Sequence, residues 1–259
     1  MTGNAAPGGP APAVSSGDSR DREPQPPLTS IVLPTYNEAG CITRMLDDLV
    51  RYVPPPVEII VVDDDSPDRT WEMAGQRGDP RVKVIRRIGT RGLASATVRG
   101  IMEARGEFIG VLDAEMPLIP PILPGMIAGL TDHDIVIASR YVEGGRDERP
   151  RIRVVTSRLL NRMAQVVLGS GILDYTSGIY LIRRTVLDRV LPSPIGFGEY
   201  FFDFIYACRL KGLRVREVPC VYTDRASGSS KSDAGSYRFL SLGIVYGLRI
   251  LALRLKGVG

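Results

Sequence analysis

The sequence predicts an α/β fold in which helices cover a mixed, mostly parallel sheet. From Leu28 onward, short apolar runs alternate with segments of helical periodicity, which is typical of strands joined by crossover helices. The chain has 259 residues, of which 44% are hydrophobic and 24% charged. This length and composition suit one large domain with a buried core.

The elements are predicted from these runs in chain order. The expected strands are Ser30–Leu33, Val57–Val62, Val82–Ile85, Phe108–Leu112, Ile135–Ala138 and Arg214–Val218. The expected helices are Glu38–Val53, Leu93–Ala104, Ile122–Leu130, Val154–Leu168 and Tyr200–Lys211. Charged and small residues interrupt the alternation at Glu143–Arg149 and Ser227–Lys231, and we expect mobile loops there. The arginines Arg146, Arg149 and Arg151 are interpreted as surface charge that keeps the first loop soluble.

The N-terminal segment differs in composition from the rest of the chain. Residues 1–27 are rich in Pro, Gly, Ala and Ser and contain no apolar stretch long enough for a signal peptide. They are predicted to be a disordered tail, followed by a folded domain over residues 28–235.

The C-terminal segment, residues 236–259, is predicted to be an amphipathic helix. Arg238, Arg249 and Lys256 share one helical face, and most other residues are apolar. Its longest uncharged run, Phe239–Leu248, is too short to span a bilayer. The pattern fits a helix lying in a membrane interface, and packing on the domain's own core is the alternative.

Charge and composition exclude several classes of protein. The formal net charge is only +4, which fits anionic substrates or an anionic membrane surface but does not indicate a nucleic-acid partner. The three cysteines, Cys41, Cys208 and Cys220, have no CxxC spacing, so we expect reduced thiols rather than disulfides or zinc. His133 is the single histidine and lies in a polar turn, which disfavours a serine or cysteine hydrolase.

An acidic cluster, Asp63-Asp64-Asp65, follows the second predicted strand. The carboxyl ends of parallel strands face the ligand crevice, so these side chains are placed to meet a nucleotide. Three adjacent carboxylates repel one another unless a metal or hydrogen-bond donors offset their charge. The alternative is a solvated turn before a helix that starts near Thr70.

A carboxylate pair, Asp113 and Glu115, follows the fourth predicted strand. A divalent cation held by one or two carboxylates is the usual partner of a nucleotide diphosphate. An ordinary acidic turn is the alternative.

A third motif, Leu33–Glu38, follows the first predicted strand. Pro34 stiffens the chain, Tyr36 offers a ring for a base, and Glu38 is an acceptor for base N–H groups or favours the helix N-terminus.

Together these motifs resemble family-2 glycosyltransferases of the GT-A fold, over roughly Leu28 to Lys231. Within that family the sequence is most similar to dolichol- and polyprenol-phosphate mannose synthases. Further motifs that carry the resemblance are Gly92-Leu93 with Ala96, Ser139-Arg140-Tyr141 with Gly144-Gly145, Asp174 with Ser177-Gly178, and Glu217-Val218-Pro219 leading to Arg225–Lys231. The resemblance implies a Rossmann-like single domain.

The resemblance also implies roles for individual residues. Pro34, Tyr36, Glu38, Asp64 and Asp65 are expected to hold the nucleoside. Asp113 and Glu115 are expected to carry a divalent cation, Mg²⁺ or Mn²⁺, with the Ala114 backbone touching the diphosphate. The phosphate-binding set is Arg140, Arg153, Arg225 and Lys231, and Asp174 is either an acceptor-side base or a structural turn carboxylate.

The sequence departs from the family at the cation motif. Glu115 stands where the family has a second aspartate, and Pro117 replaces a polar residue two positions later. The expected alternatives are weaker metal binding, a differently placed metal, or a metal whose remaining ligands are water and the donor phosphates.

From the resemblance we expect an inverting transfer of mannose from GDP-mannose to a polyprenyl phosphate. An acceptor phosphate is already anionic and needs little help from a general base. The expected setting is the cytoplasmic membrane face, with a small membrane subunit as a further partner. The alternatives are a UDP-sugar donor or a soluble acceptor on the same fold, and a non-catalytic subunit that binds a nucleotide sugar.

Overall fold

A seven-stranded sheet has the order β3-β2-β1-β4-β7-β5-β8. The structure, a computed structural model, describes residues 26–169, 171–223, 246–250 and 252–255. The strands of this sheet are β1 (Thr29–Thr35), β2 (Val57–Asp63), β3 (Val82–Arg86), β4 (Phe108–Val111), β5 (Ile135–Ser139), β7 (Tyr180–Arg183) and β8 (Val215–Pro219). A second sheet consists of β6 (Arg146–Asp147) and β9 (Val221–Tyr222).

Helices cover both faces of the large sheet. They are α1 (Ile42–Tyr52), α2 (Thr70–Gln76), α3 (Leu93–Glu103), α4 (Leu123–Gly129), α5 (Arg151–Leu168) and α6 (Glu199–Leu210), and residues 246–250 and 252–255 are also helical. The five helices predicted within the domain are therefore all present, with ends that differ by up to four residues, while the predicted C-terminal helix over residues 236–259 lies only partly within the described residues. Among the described residues, no helix combines the length and apolar character needed to cross a bilayer.

The core has two layers because successive side chains of a strand point to opposite faces. On β1, Val32 contributes to one layer, while Ile31 and Leu33 contribute to the other. The Val32 layer packs against α3, α5 and α6, and the other packs against α1, α2 and α4. Every residue of β1 and β2 is buried, which explains why the central residues of both strands are apolar without alternation.

The order in which strands join the sheet reverses between β3 and β4. The chain runs outward from β1 through β2 to β3, and then returns to pair β4 in parallel with the other edge of β1. In open α/β sheets, this switch point opens a crevice beyond the carboxyl ends of the strands. The motifs that follow β1 and β4 therefore face each other there.

Strand β7 is absent from the prediction. It lies between β4 and β5 and is antiparallel to both. Tyr180, Leu181 and Ile182 are buried, so the apolar run that marks a strand is present in the sequence. The direction of β7 depends on its partners β4 and β5 rather than on its own residues.

The prediction of a mobile loop over Glu143–Arg149 is wrong in its centre. There β6 pairs in parallel with β9, and the backbone N–H groups of Arg146 and Glu148 donate to Cys220 and Tyr222 at 2.9 and 2.8 Å. The second predicted loop, Ser227–Lys231, lies outside the described residues, as does the predicted N-terminal tail except for residues 26 and 27.

The C-terminal helical residues pack on α6. Tyr246 and Ile250 are buried, and the Tyr246 ring meets Phe202 edge-on at 5.3 Å. Arg249 donates to the carboxylate of Asp203. One face of this segment therefore lies on the core of the domain, which was the alternative to the interfacial helix, while Leu248 and Leu255 on other faces are exposed.

Candidate active site

A cleft of about 450 Å³ opens at the switch point. Residues that follow β1, β2 and β4 form one part of its lining, which we call the acidic end, and residues of α5 and of the β5–β6 connection form another, which we call the arginine end. The predicted site residues that line it are Pro34, Tyr36, Glu38, Asp64, Asp113, Ala114, Glu115, Arg140 and Arg153.

The loop after β1 is held in place by the loop after β2. The backbone N–H groups of Asn37 and Glu38 donate to the hydroxyl groups of Ser66 and Thr70, at 3.0 and 2.8 Å. Asn37 has a φ of 56°, in the left-handed region that asparagine tolerates better than most residues. These bonds fix Tyr36 and Glu38 at the cleft wall.

The three consecutive aspartates have three different environments. Asp63 is fully buried and accepts hydrogen bonds from Thr35 and Ser66, so it stabilises the two loops. Asp65 forms an ion pair with Arg86 and does not line the cleft. Asp64 alone of the three reaches the cleft.

Asp64 connects the cleft to the loop before α3. Its carboxylate accepts from the Gly92 backbone N–H and from Arg87 Nε, both at 2.7 Å. Arg87 also donates to the Gly92 carbonyl oxygen at 3.1 Å and to Ser95 Oγ at 3.0 Å. Arg87 therefore orients Asp64 and closes the loop around it.

Asp113, Ala114 and Glu115 follow the carboxyl end of β4 and line the cleft. Two carboxylates separated by one residue supply hard oxygen ligands of the kind that Mg²⁺ and Mn²⁺ prefer. The described residues contain no group of three or more His, Cys, Asp or Glu side chains arranged to hold a metal. The pair therefore fits a cation that takes its remaining ligands from water and a diphosphate.

The arginine end of the cleft is built on a buried ion pair. Arg140 Nε and Nη2 donate to the carboxylate of Asp174 at 2.8 and 2.6 Å, and both side chains are nearly inaccessible. Burial lowers the pKa of Arg140, but the Asp174 carboxylate raises it above its ordinary value, so the guanidinium stays charged. Glu217 holds the Asp174 loop by accepting from the backbone N–H groups of Leu173 and Asp174 at 2.7 and 2.9 Å.

A second arginine–aspartate pair lies beside the first. Arg149 lines the cleft, and its Nε and Nη2 donate to Asp147 at 2.8 and 2.7 Å. The interpretation of Arg149 as a solubilising loop residue is therefore wrong. Arg146 is 70% exposed and fits that interpretation.

Comparisons with known proteins show the family of this chain. The model of the family described as Glycosyl transferase family 2 matches residues 30–191, well over half of the chain.

The chain belongs to glycosyl transferase family 2.

Two curated relatives of this glycosyltransferase are named for mannosyl transfer. A dolichol-phosphate mannosyltransferase of Pyrococcus furiosus is 37% identical over 212 residues, which cover 78% of this chain and 58% of that protein. A polyprenol monophosphomannose synthase of Mycolicibacterium smegmatis is 33% identical over 241 residues, which cover 89% of this chain and 91% of that protein. The chain thus spans less than two thirds of the length of the first relative and most of the second.

Solved structures confirm the GT-A fold of the glycosyltransferase. Glucosyl-3-phosphoglycerate synthase of Mycobacterium tuberculosis, in complex with Mn²⁺, UDP and glucosyl-3-phosphoglycerate, superposes with a TM-score of 0.65 at 19% identity. The match covers 89% of this chain and 80% of that structure. At this identity the similarity shows the fold alone.

Several residues of the glycosyltransferase cleft are absent from the sequence prediction. Arg91 lines the cleft, and Arg87 binds Asp64 beside it. Both follow β3, whose carboxyl end lies at the same crevice, and this position is the signal that could have found them. The Arg91 guanidinium lies 4.6 Å from the centre of the Tyr36 ring, the ring expected to meet a base. Tyr200 lines the cleft from α6, and burial raises its pKa to about 12, so its hydroxyl stays protonated near neutral pH.

Other predicted residues lie elsewhere. Arg225 and Lys231 fall outside the described residues. His133 is half-buried beside the Gly129 carbonyl oxygen and does not line the cleft. Cys41, Cys208 and Cys220 are free thiols, as expected.

Proposed function

We propose that this glycosyltransferase moves mannose from GDP-mannose to a polyprenyl phosphate, with inversion at the anomeric carbon. The observation that carries the proposal is that carboxylates and arginines line one cleft. Asp64, Asp113 and Glu115 follow β2 and β4, while Arg140 follows β5 and Arg153 lies on α5. The names of the curated relatives support mannose and a polyprenyl phosphate as the substrates.

The acidic end suits a nucleoside diphosphate. Tyr36 offers a ring face, and Glu38 and Asp64 offer acceptors for base and ribose donors, on loops already held by hydrogen bonds. A divalent cation bound by Asp113 and Glu115 would neutralise the charge that develops on the departing diphosphate. In this proposal the Ala114 backbone lies against that diphosphate.

The arginine end suits a phosphate monoester. Such a group is mostly dianionic near neutral pH, so its oxygen attacks the anomeric carbon without a strong general base. The two anionic substrates repel each other, and the cationic side chains overcome this repulsion and align the attacking oxygen. Direct displacement of GDP by that oxygen inverts the anomeric configuration.

Asp174 serves as a positioning residue in this proposal rather than as the base. It does not line the cleft, its carboxylate is fully buried, and both of its oxygens accept from Arg140. It thereby sets the direction of the Arg140 guanidinium.

The outer surface of α5 supports a lipid acceptor. Ile152, Val155, Leu159 and Val166 are 62–72% exposed and, at 3.6 residues per turn, form one stripe along the helix. Arg151, Arg158 and Arg162 are exposed along one side of the stripe, and Arg153 and Ser157 face the cleft on the other. An apolar stripe with a basic flank is the pattern of a helix that lies on an anionic membrane.

This arrangement would place the enzyme on the membrane surface with the acceptor phosphate at the cleft and the polyprenyl chain in the bilayer. We propose peripheral binding at the cytoplasmic face. A small membrane subunit would add to this binding.

The test combines donor binding with transfer. Thermal shifts of the purified chain are measured with GDP-mannose, UDP-glucose and UDP-GlcNAc, each with and without Mg²⁺ or Mn²⁺. Transfer of radiolabelled sugar to a short polyprenyl phosphate is then measured for the wild type, for Asp113→Asn and for the matched control Asp132→Asn, whose side chain is exposed outside the cleft.

We expect selective stabilisation by GDP-mannose with a divalent cation, and cation-dependent transfer that falls at least about 100-fold in Asp113→Asn and stays unchanged in the control. Selective stabilisation by a UDP-sugar would overturn the assignment of the donor. Donor binding without turnover on any acceptor would instead identify a non-catalytic nucleotide-sugar-binding subunit.

A further inference from the structure

Arg149 is directed into the cleft by a carboxylate that has no access to solvent. The side chain of Asp147 is 0% exposed, while that of Arg149 is 21% exposed and lines the cleft. Asp147 accepts from Nε and Nη2 of Arg149, which leaves the Nη1 side of the guanidinium outside this bidentate pair. The planar fork of arginine keeps that side in a fixed direction.

The backbone around this pair is fixed by strand pairing. Asp147 is the last residue of β6, and its register partner on β9 is Tyr222. The centre of the Tyr222 ring lies 4.6 Å from Arg140 Cζ and 5.5 Å from Arg149 Cζ. The two arginines are therefore held against one ring and face the same cleft.

Asp147 also links the two arginine–aspartate pairs. Its Oδ2 lies 3.5 Å from Arg140 Nη1, so one carboxylate faces both guanidinium groups. Burial raises the pKa of Asp147, but hydrogen bonds and charge from Arg149, with a smaller effect from Arg140, hold it below its ordinary value. Asp147 is therefore ionised at neutral pH, and its charge holds the two cations close together.

We propose that Arg149 is a further ligand of the acceptor's phosphate monoester, beside Arg140 and Arg153, and that Asp147 is its positioning residue. This inference rests on the proposed function for the identity of the acceptor. The group that Arg149 would bind is a terminal phosphate dianion, which bidentate arginine groups bind more specifically than lysine does. The donor carries a diphosphate without a terminal dianion, so the contact of Arg149 is assigned to the acceptor's phosphate.

The first test is steady-state kinetics of the full chain with geranyl phosphate and GDP-mannose varied in turn. Arg149→Gln is expected to raise the KM for geranyl phosphate about 10- to 100-fold, the range of a hydrogen bond to a charged group, and to leave the KM for GDP-mannose unchanged. Arg149→Lys keeps the charge but loses the fork, so a smaller rise is expected. Arg146→Gln is the matched control, because Arg146 is an exposed arginine on β6, three residues before Arg149.

Asp147→Asn separates positioning from net charge. The substitution removes one negative charge beside the cleft, so a purely electrostatic role predicts tighter phosphate binding. If Asp147 instead holds Arg149 in place, the KM for geranyl phosphate rises. Circular dichroism and thermal melting of each variant verify the fold, and the Arg149→Gln and Arg149→Lys pair still decides the question if Asp147→Asn does not fold.

Binding without turnover distinguishes failure of the inference from failure of the proposed function. Equilibrium binding of geranyl phosphate and of inorganic phosphate is measured for the wild type and Arg149→Gln without donor. Weaker binding of both ligands in Arg149→Gln supports the inference even if the wild type transfers no sugar to prenyl phosphates. Equal binding by the two proteins, or a rise in the KM for GDP-mannose alone, overturns it.

Discussion

Arg140 and Asp174 are joined by two parallel hydrogen bonds of 2.8 and 2.6 Å, and the backbone N–H of Arg140 donates to the same carboxylate at 3.0 Å. A buried guanidinium is stable only when a counter-charge offsets the loss of hydration. Asp174 supplies that charge and at the same time sets the direction in which Arg140 faces the cleft.

Replacing Asp174 with asparagine is therefore expected to affect both stability and activity. The variant leaves the buried Arg140 with only the more distant carboxylate of Asp147, at 3.5 Å, as a counter-charge, which costs about 3–5 kcal/mol of the free energy of unfolding. Urea unfolding measures this loss, with Asp132→Asn as the exposed control. We expect a large fall in kcat/KM with no change in the shape of its pH profile. A stable variant that had lost only the acidic limb of the profile would identify Asp174 as a base instead.

Sequence patterns identified the acidic half of the site better than the arginine half. Tyr36, Asp64 and Asp113 each follow a buried apolar strand, and the carboxyl ends of parallel strands meet at one edge of the sheet. The position of each residue was therefore readable from its own neighbours along the chain.

The arginine half depends on contacts between distant segments. Arg149 faces the cleft because β6 pairs with β9, more than seventy positions further along the chain. Arg87 reaches Asp64 across 23 positions, and the direction of β7 is set by β4 and β5. No local periodicity carries this information, so these features required the tertiary structure.

Gly100 marks the closest approach of α3 to the sheet. A Cβ atom there would overlap the side chain of Val32 and lie 3.2 Å from Val62 Cγ2. Gly100→Ala is therefore expected to lower the free energy of unfolding by about 1–3 kcal/mol, because the helix must move away from β1. Gly125→Ala on α4 is the matched control, since nothing lies within 4 Å of its added methyl group. We expect the control to be neutral or up to about 1 kcal/mol more stable. Equal effects of the two substitutions in urea unfolding would contradict this packing argument.

Glu58 links β1, β2 and the turn before β4 at the end of the sheet away from the cleft. Its carboxylate accepts from Ser30 Oγ at 2.6 Å, and from the backbone N–H and Nε of Arg105 at 2.6 and 2.9 Å. Burial raises its pKa, but the bonds from Ser30 and Arg105 outweigh that effect and lower the pKa below its ordinary value of 4.5.

A carboxyl group whose pKa is lower in the folded state than in the unfolded state stabilises the protein at pH values above its unfolded-state pKa. This stabilisation is lost as the pH falls through the folded-state pKa. Glu58→Gln is therefore expected to be about 1–3 kcal/mol less stable than the wild type at pH 7, with the difference shrinking below pH 4.5. Unfolding by urea at several pH values measures both effects. Glu107→Gln, at a carboxylate that is 57% exposed, should show little change at any pH. A constant difference across the pH range would mean that Glu58 contributes by shape rather than by charge.

The exposed stripe on α5 leads to a prediction about membrane binding. Val155 and Leu159 are 62% and 68% exposed, and burying each in a bilayer interface contributes about 1.5–3 kcal/mol at most. The double variant Val155→Glu and Leu159→Glu is therefore expected to bind anionic liposomes at least about 10-fold more weakly in a co-sedimentation assay. The thermal shift with GDP-mannose should be unchanged, because neither side chain lines the cleft.

Met102→Glu is the control for the loss of an exposed apolar side chain. Met102 is 78% exposed on α3, at the end of that helix away from the cleft. The basic flank adds a salt dependence, since each arginine near an anionic surface contributes about 1 kcal/mol that salt screens. Arg158→Gln with Arg162→Gln should therefore weaken binding to anionic liposomes and leave the weak binding to neutral liposomes unchanged. If the α5 variants and Met102→Glu sediment equally, α5 does not face the membrane, and the lipid would have to reach the cleft by another surface.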